Sequence, residues 1–291
     1  MRVQVVSATP LRFDDGSPVR AASGITAYDG GWLVVQDDAT HACLWRDGRG
    51  ERRRLLAPVQ GHDVFGESAG TKALKPDLEA CVALPDGRTL VLGSGSTPAR
   101  MRSVLLSPES VRVAALGPVL ARVAEALEVG PDRLNLEGAC VVRDRLRWFQ
   151  RGLPVAGVPS ASVDLPLGAF LDAVSGQDAA VHVGGVLRYD LGAVAGVPLA
   201  VTDAVTRPDG TVLVSAVAED SASTYDDGPL AGSALAVLDG EEVVERVELP
   251  PVDGAPAKVE GLALDGDDLV AVVDADDPRL ASLLLRLAVI S

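Results

Sequence analysis

Short runs of β-type hydrophobic residues alternate with polar turns along almost the whole chain. The pattern is clearest between residues 200 and 249. Residues 200–207 read as a strand, Pro208-Asp209-Gly210 as a tight turn and 211–217 as the return strand. A polar loop over 218–232 precedes a second pair, 233–238 and 242–249, joined by Asp239-Gly240. Four antiparallel strands with two short turns and one long loop thus make one unit. The scheme recurs at 24–28, 32–36, 42–46 and 52–59, and again at 79–84, 89–93, 101–106 and 111–116. A further unit starts with 137–143 and 146–150 and is interrupted before 186–191. The last offers only 260–264, 269–273 and 282–289, so residues 3–11 are expected to supply its outer strand. Apolar residues at helical spacing predict one inserted helix over 117–130, stopped by Gly130, and a short helical turn over 167–174.

Each unit opens alike: Ser23-Gly24-Ile25, Leu78-Glu79-Ala80, Leu136-Glu137-Gly138, Thr202-Asp203-Ala204 and Val259-Glu260-Gly261. Ser23, Glu79, Glu137, Asp203 and Glu260 lie 56, 58, 66 and 57 residues apart, and 54 more close the circle through the termini. A closed repeat of this length predicts an all-β, five-bladed β-propeller, a single domain over 1–291, with the N-terminal strand paired into the last blade. A six-bladed alternative needs a hidden unit between 150 and 200. Inner strands of a propeller begin at the axis, so Ser23, Glu79, Glu137, Thr202 or Asp203, and Glu260 are expected to converge. Such a ring calls for a hard cation, with calcium (Ca2+) the expected cofactor.

Composition narrows the partners. With 291 residues, 47% hydrophobic and 23% charged, the chain can bury a large core. A net charge of −15 argues against nucleic acid or an anionic membrane as partner, and also serves solubility. Cys43, Cys81 and Cys140 show no metal-ligand spacing and read as buried free thiols, which with no apolar run after a basic start points to the cytoplasm.

The loops at 36–41, 93–102, 150–159, 218–232 and 274–278 share one face and are the most polar of their units. All three lysines, Lys72, Lys75 and Lys258, fall within seven residues before an axial glutamate. With Arg100, Arg102 and Arg151 they make a cationic rim that suits a small anionic substrate or ligand; the same charges also simply neutralise nearby carboxylates. Asp37-Asp38 and Asp274, Asp276 and Asp277 stay open as metal ligands, catalytic acids or turn formers. His41 is a lone loop histidine, and Ser94 and Ser96 lack the context of a nucleophile elbow.

At the ring residues the chain resembles the calcium-activated nucleotidases, or apyrases, whose axial order is Ser, Glu, Glu, Ser, Glu. Ser23, Glu79, Glu137, Thr202 or Asp203, and Glu260 match that order; alignment of Pro208-Asp209-Gly210 with Pro85-Asp86-Gly87 favours Thr202. Val35-Gln36-Asp37-Asp38, Arg147-Trp148-Phe149-Gln150-Arg151, Glu219-Asp220 with Ser223-Thr224-Tyr225, and Val259-Glu260-Gly261-Leu262 extend the match. Ala39 and Ala218 stand where apyrases carry an arginine and a lysine. The chain is also similar to an uncharacterised family of bacterial propellers with an axial Glu-Gly repeat. The resemblance implies a calcium-dependent hydrolase of a phosphoanhydride or phosphoester. Ser23, Glu79, Glu137, Thr202 or Asp203, and Glu260 would hold the metal. Lys75, Arg100, Arg151 and Lys258 would hold the substrate, and Asp38 or Glu219 would orient water. A lactonase or esterase is the related alternative. A non-catalytic propeller with a structural calcium, binding a metabolite or a protein, is the other.

Overall fold

A computed structural model describes residues 1–130, 132–221 and 228–290. The N-terminal strand β1 (Arg2–Pro10) is followed by the four strands of blade 1, β2 (Ala22–Tyr28), β3 (Gly31–Gln36), β4 (His41–Arg46) and β5 (Arg49–Arg54). Blade 2 comprises β6 (Leu78–Ala83), β7 (Thr89–Gly93), β8 (Arg102–Leu106) and β9 (Val111–Ala115). Helix α1 (Gly117–Leu127) leads into blade 3, β10 (Leu136–Val142), β11 (Arg145–Gln150), β12 (Ser160–Pro166) and β13 (Gly184–Tyr189), with α2 (Leu167–Val174) between its last two strands. Blade 4 runs β14 (Ala193–Val194), β15 (Val197–Thr206), β16 (Val212–Glu219), β17 (Leu230–Asp239) and β18 (Glu242–Glu248). In blade 5, β19 (Lys258–Asp265), β20 (Asp268–Asp274) and β21 (Leu283–Ile290) are completed by β1, which pairs antiparallel with β21 from Arg2↔Ile290 to Pro10↔Leu283.

Five blades close the ring, as the repeat predicts, and the six-bladed alternative is not realised. Turn chemistry sets the hairpins. In Pro208-Asp209-Gly210 the Asp209 carboxylate accepts from Thr211 N at 3.0 Å, and Gly210 takes a φ of +87°. Pro85-Asp86-Gly87 repeats this, with Arg88 N donating to Asp86 and Gly87 at +84°.

The core is divided by the blades. Leu33, Val35 and Leu44 pack on Leu78, Val91 and Val104 between blades 1 and 2. Phe149 and Tyr189 stack between blades 3 and 4, and Ile25, Val34, Val270 and Val272 fill the seam where blade 5 meets blade 1. Helix α1 buries Val119, Leu120, Val123 and Leu127 against blades 2 and 3, a 3.6-period stripe. It stops at Leu127 with Glu128 in the left-handed conformation, three residues earlier than the spacing predicts. The expected helical turn at 167–174 is a full α-helix burying Leu167, Phe170 and Val174. Strand β12 escaped detection in the interrupted third unit although Ala161, Val163 and Leu165 alternate with Ser160, Ser162 and Asp164, because α2 and a long connection separate it from β13. No helix among the described residues is long and apolar enough to cross a membrane.

Candidate functional site in the axial cavity

Each inner strand carries a register shift near its start: between Ala22 and Gly24, Leu78 and Ala80, Leu136 and Ala139, Val201 and Asp203, and Val259 and Gly261. Ser23, Glu79, Glu137, Thr202 and Glu260 therefore occupy equivalent bulges, where an extra residue re-aims its side chain. The residue after each bulge is small in four blades because inner strands approach closely. A Cβ added at Gly261 would come 2.8 Å from Gly24 Cα, and one at Gly138 would come 2.6 Å from the Asp203 backbone.

This register separates Thr202 from Asp203 and corrects the expected ring. Asp203 is fully buried and turned away from the axis, accepting from Ala204 N at 2.8 Å and Leu262 N at 2.7 Å. Burial pushes its carboxyl well above the usual range. Thr202 donates to Val259 O at 2.7 Å, as Ser23 donates to Leu78 O at 2.5 Å. Both hydroxyls clasp one inner strand to the next. Ser23 also lines the cavity; Thr202 does not.

The cavity lies at the axis and has a volume of about 140 Å³. Glu79, Glu137, Glu260, Glu219, Lys75, Arg100, Arg151 and Lys258 all line it, drawn from four blades. Asp38 does not. Adjacent residues at a strand end face opposite ways, so Asp37 lines the cavity while Asp38 turns to Arg20, 2.5 Å away. Burial, and then the Asp37 charge, raises the Asp38 carboxyl to about 6. Arg102 and His41 also lie outside the lining; His41 is buried beside Phe13, and burial lowers it to about 4.

Two charge networks fill the space. In the first, Lys75 Nζ donates to Asp37 Oδ2 at 2.5 Å and sits 3.0 Å from Asp77 Oδ1. Arg100 donates to Asp77 Oδ2 at 2.8 Å, beside the Ser94 hydroxyl. Glu79 makes no hydrogen bond or ion pair among the described residues, and Asp37 Oδ1 is buried without a partner. Burial, then the Asp77 and Asp37 charges, pushes Glu79 well above the usual carboxylate range. In the second network, Arg151 donates to Glu137 at 2.9 Å and to Glu219 at 2.5 Å. Lys258 Nζ reaches Asp276 at 2.9 Å, Glu260 at 3.5 Å and Glu219 at 4.0 Å. Burial raises Glu260 to about 8, partly offset by Lys258 and Arg151. Gly228 N takes the other Glu219 oxygen at 2.8 Å.

Asp77 and Asn135 escaped the sequence reading. Each lies two residues before its axial glutamate, as Lys258 does, and that shared offset was the available signal. Asn135 donates to Glu137 at 2.8 Å. Ser223, Thr224 and Tyr225 lie outside the described residues.

Among the described residues, Asp37, Asp77 and Glu79 form the one group of three or more that brings a carboxylate oxygen from each within 4.8 Å of the others. Glu137 and Glu260 do not join it, because Arg151 and Lys258 draw them aside. The expected single ring is thus an off-axis trio and a separate ion-pair network. The trio fits a hard divalent cation on three counts: an all-oxygen donor set, an orphaned buried oxygen on Asp37, and an unpartnered Glu79.

Five blades around a charged central cavity define a five-bladed β-propeller with a polar axial site. Within that class the chain belongs to DUF6910, a family of unknown function whose model matches residues 71–278. No curated protein matches the sequence. The fold is similar to that of Myxococcus xanthus glutaminyl cyclase (TM-score 0.52, 11% identity, 99% of this chain and 97% of that one). It is also similar to MPT-4, a mannose phosphorylase from Leishmania mexicana (TM-score 0.54, 12% identity, 98% and 88%).

Proposed function

We propose that the protein is a calcium-dependent hydrolase of a small phosphoester or phosphoanhydride, with the axial cavity as its active site. One observation carries this reading: Asp37, Asp77 and Glu79 converge, and Glu79 has no partner of its own. Those three residues would hold the cation, with Ser23 the adjacent hydroxyl on the lining. Bound there, calcium supplies Lewis acidity toward a phosphoryl oxygen or acidifies a water molecule. Arg100 and Lys75 lie on the same side and are the groups that orient an anionic substrate. Glu219, expected as a water-orienting residue, already has both oxygens occupied and instead fixes Arg151. Asp274 lines the cavity, makes no ion pair among the described residues, and is the group assigned to accept a proton. The similar folds include proteins named as a cyclase and a phosphorylase, which shows that the architecture hosts catalysis elsewhere.

A second reading, a non-catalytic binding protein with a structural calcium, is favoured by the ion pairs that already engage Lys75, Arg100, Arg151 and Lys258. Melting curves in EDTA, calcium and magnesium, followed by turnover of phosphate esters, anhydrides and lactones, separate the two. The hydrolase reading expects a calcium-specific rise in Tm and phosphate release, both lost in Glu79→Gln. A calcium-specific rise without turnover supports the second reading, turnover of lactones alone replaces the substrate class, and no rise in either metal removes the calcium centre.

A further inference from the structure

Every cation lining the cavity already pairs with a carboxylate, so an anionic substrate has none to itself. Lys75 resolves this. Its ammonium sits between Asp37 Oδ2, at 2.5 Å, and Asp77 Oδ1, at 3.0 Å, and so occupies the acidic trio itself. The Asp77 carboxylate keeps Arg100 and Ser94 without it, and Asp77 N donates to Asp37 O at 3.0 Å, which holds the two backbones side by side. Lys75 rides on the connection between blades 1 and 2, just after a 3-10 turn at Lys72–Leu74, and its side chain is partly exposed. Moving it breaks no sheet.

We propose that Lys75 is the resident cation of the trio, that a divalent cation displaces it, and that the released ammonium then binds an oxyanion. Binding is therefore ordered, cation before anion. An ammonium and a divalent ion cannot share the same pair of carboxylate oxygens without strong repulsion. Once displaced, the ammonium stays tethered at the cavity wall beside the new positive charge, where an oxyanion lies between the two. The inference rests on the reading of the trio as a divalent-cation site.

Calcium titrations of the EDTA-stripped wild type and Lys75→Met, with melting curves in inorganic phosphate, test it. Expected is calcium binding at least about tenfold tighter in Lys75→Met, equivalent to about 1.4 kcal/mol. Phosphate raises the wild-type Tm only when calcium is present, and does not raise that of Lys75→Met. A measurement on the wild type alone guards against a variant that fails to fold. The chain has only three lysines, so acetylation read by mass spectrometry resolves each one, and Lys75 labelling is expected to increase with calcium. Unchanged or weaker calcium binding in Lys75→Met, calcium protection of Lys75, or equal phosphate binding without calcium overturns the ordered exchange while leaving the calcium site standing. Calcium binding to Lys75→Met but not to the wild type supports Lys75 as resident cation and overturns calcium dependence. Binding to neither overturns both.

Discussion

On the side of blades 3 to 5, Arg151 and Lys258 bridge Glu137, Glu219, Glu260 and Asp276 into one connected network. On the side of blades 1 and 2, Lys75 and Arg100 both converge on Asp77 and leave Glu79 alone. The same residue types thus yield two cations shared among four paired acids in one half, and two cations among three acids, with Glu79 left out, in the other. Buried carboxylates need compensation. One half gives every acid of its network a cation to lean on, and the other leaves Glu79 for an external cation.

The largest effect is expected where one cation serves two buried acids. Arg151→Ala removes two ion pairs at once, leaving Glu137 with only neutral Asn135 and Glu219 with Gly228 N and a 4.0 Å Lys258, and should cost about 3 kcal/mol in urea unfolding. Arg100→Ala should cost less, since Asp77 keeps Lys75 and Ser94; a reversed order would abolish the contrast between the halves.

Proton linkage sharpens the comparison next. Burial raises Glu260 from 4.5 to about 8, and Glu79 and Glu137 in the same direction. A carboxyl raised on folding contributes stability that is present below its unfolded value and lost as pH rises through its folded value. The Tm in EDTA should therefore fall by several degrees between pH 5 and pH 8.5, and calcium should flatten that fall. A flat profile in EDTA would mean that the acids are already compensated.

The smallest effect belongs to the unpartnered acid. Glu79→Gln removes no hydrogen bond or ion pair, so at pH 4, where the Glu79 carboxyl is largely protonated in the folded and unfolded chain, metal-free stability should change by no more than about 0.5 kcal/mol, while the calcium response at neutral pH disappears. A large loss of metal-free stability would show that Glu79 has a partner in solution.

Much of the architecture was written locally. Period-two hydrophobic runs and the Pro-Asp-Gly turns specify strands and hairpins, because each depends on neighbours a few positions away, and a spacing near 57 residues that returns through the termini gives the number of blades. Glu79, Glu137 and Glu260 were legible for the same reason: each begins a recognisable strand. Strand β12 was not, although its residues alternate, because the insertion that follows it hides the strand it pairs with.

The tertiary structure alone decided which member of an adjacent pair faces the axis and which cation meets which acid. The distance to the Pro-Asp-Gly turn favours Thr202 over Asp203, and the bulge agrees, but no spacing in the chain announces that Asp37 lines the cavity while Asp38 turns to Arg20. Arg151 meets Glu219 across 68 residues and Lys75 meets Asp37 across 38. Periodicity sets which residues reach the centre of the ring, but charge pairing there depends on distances that exist only once the blades have closed.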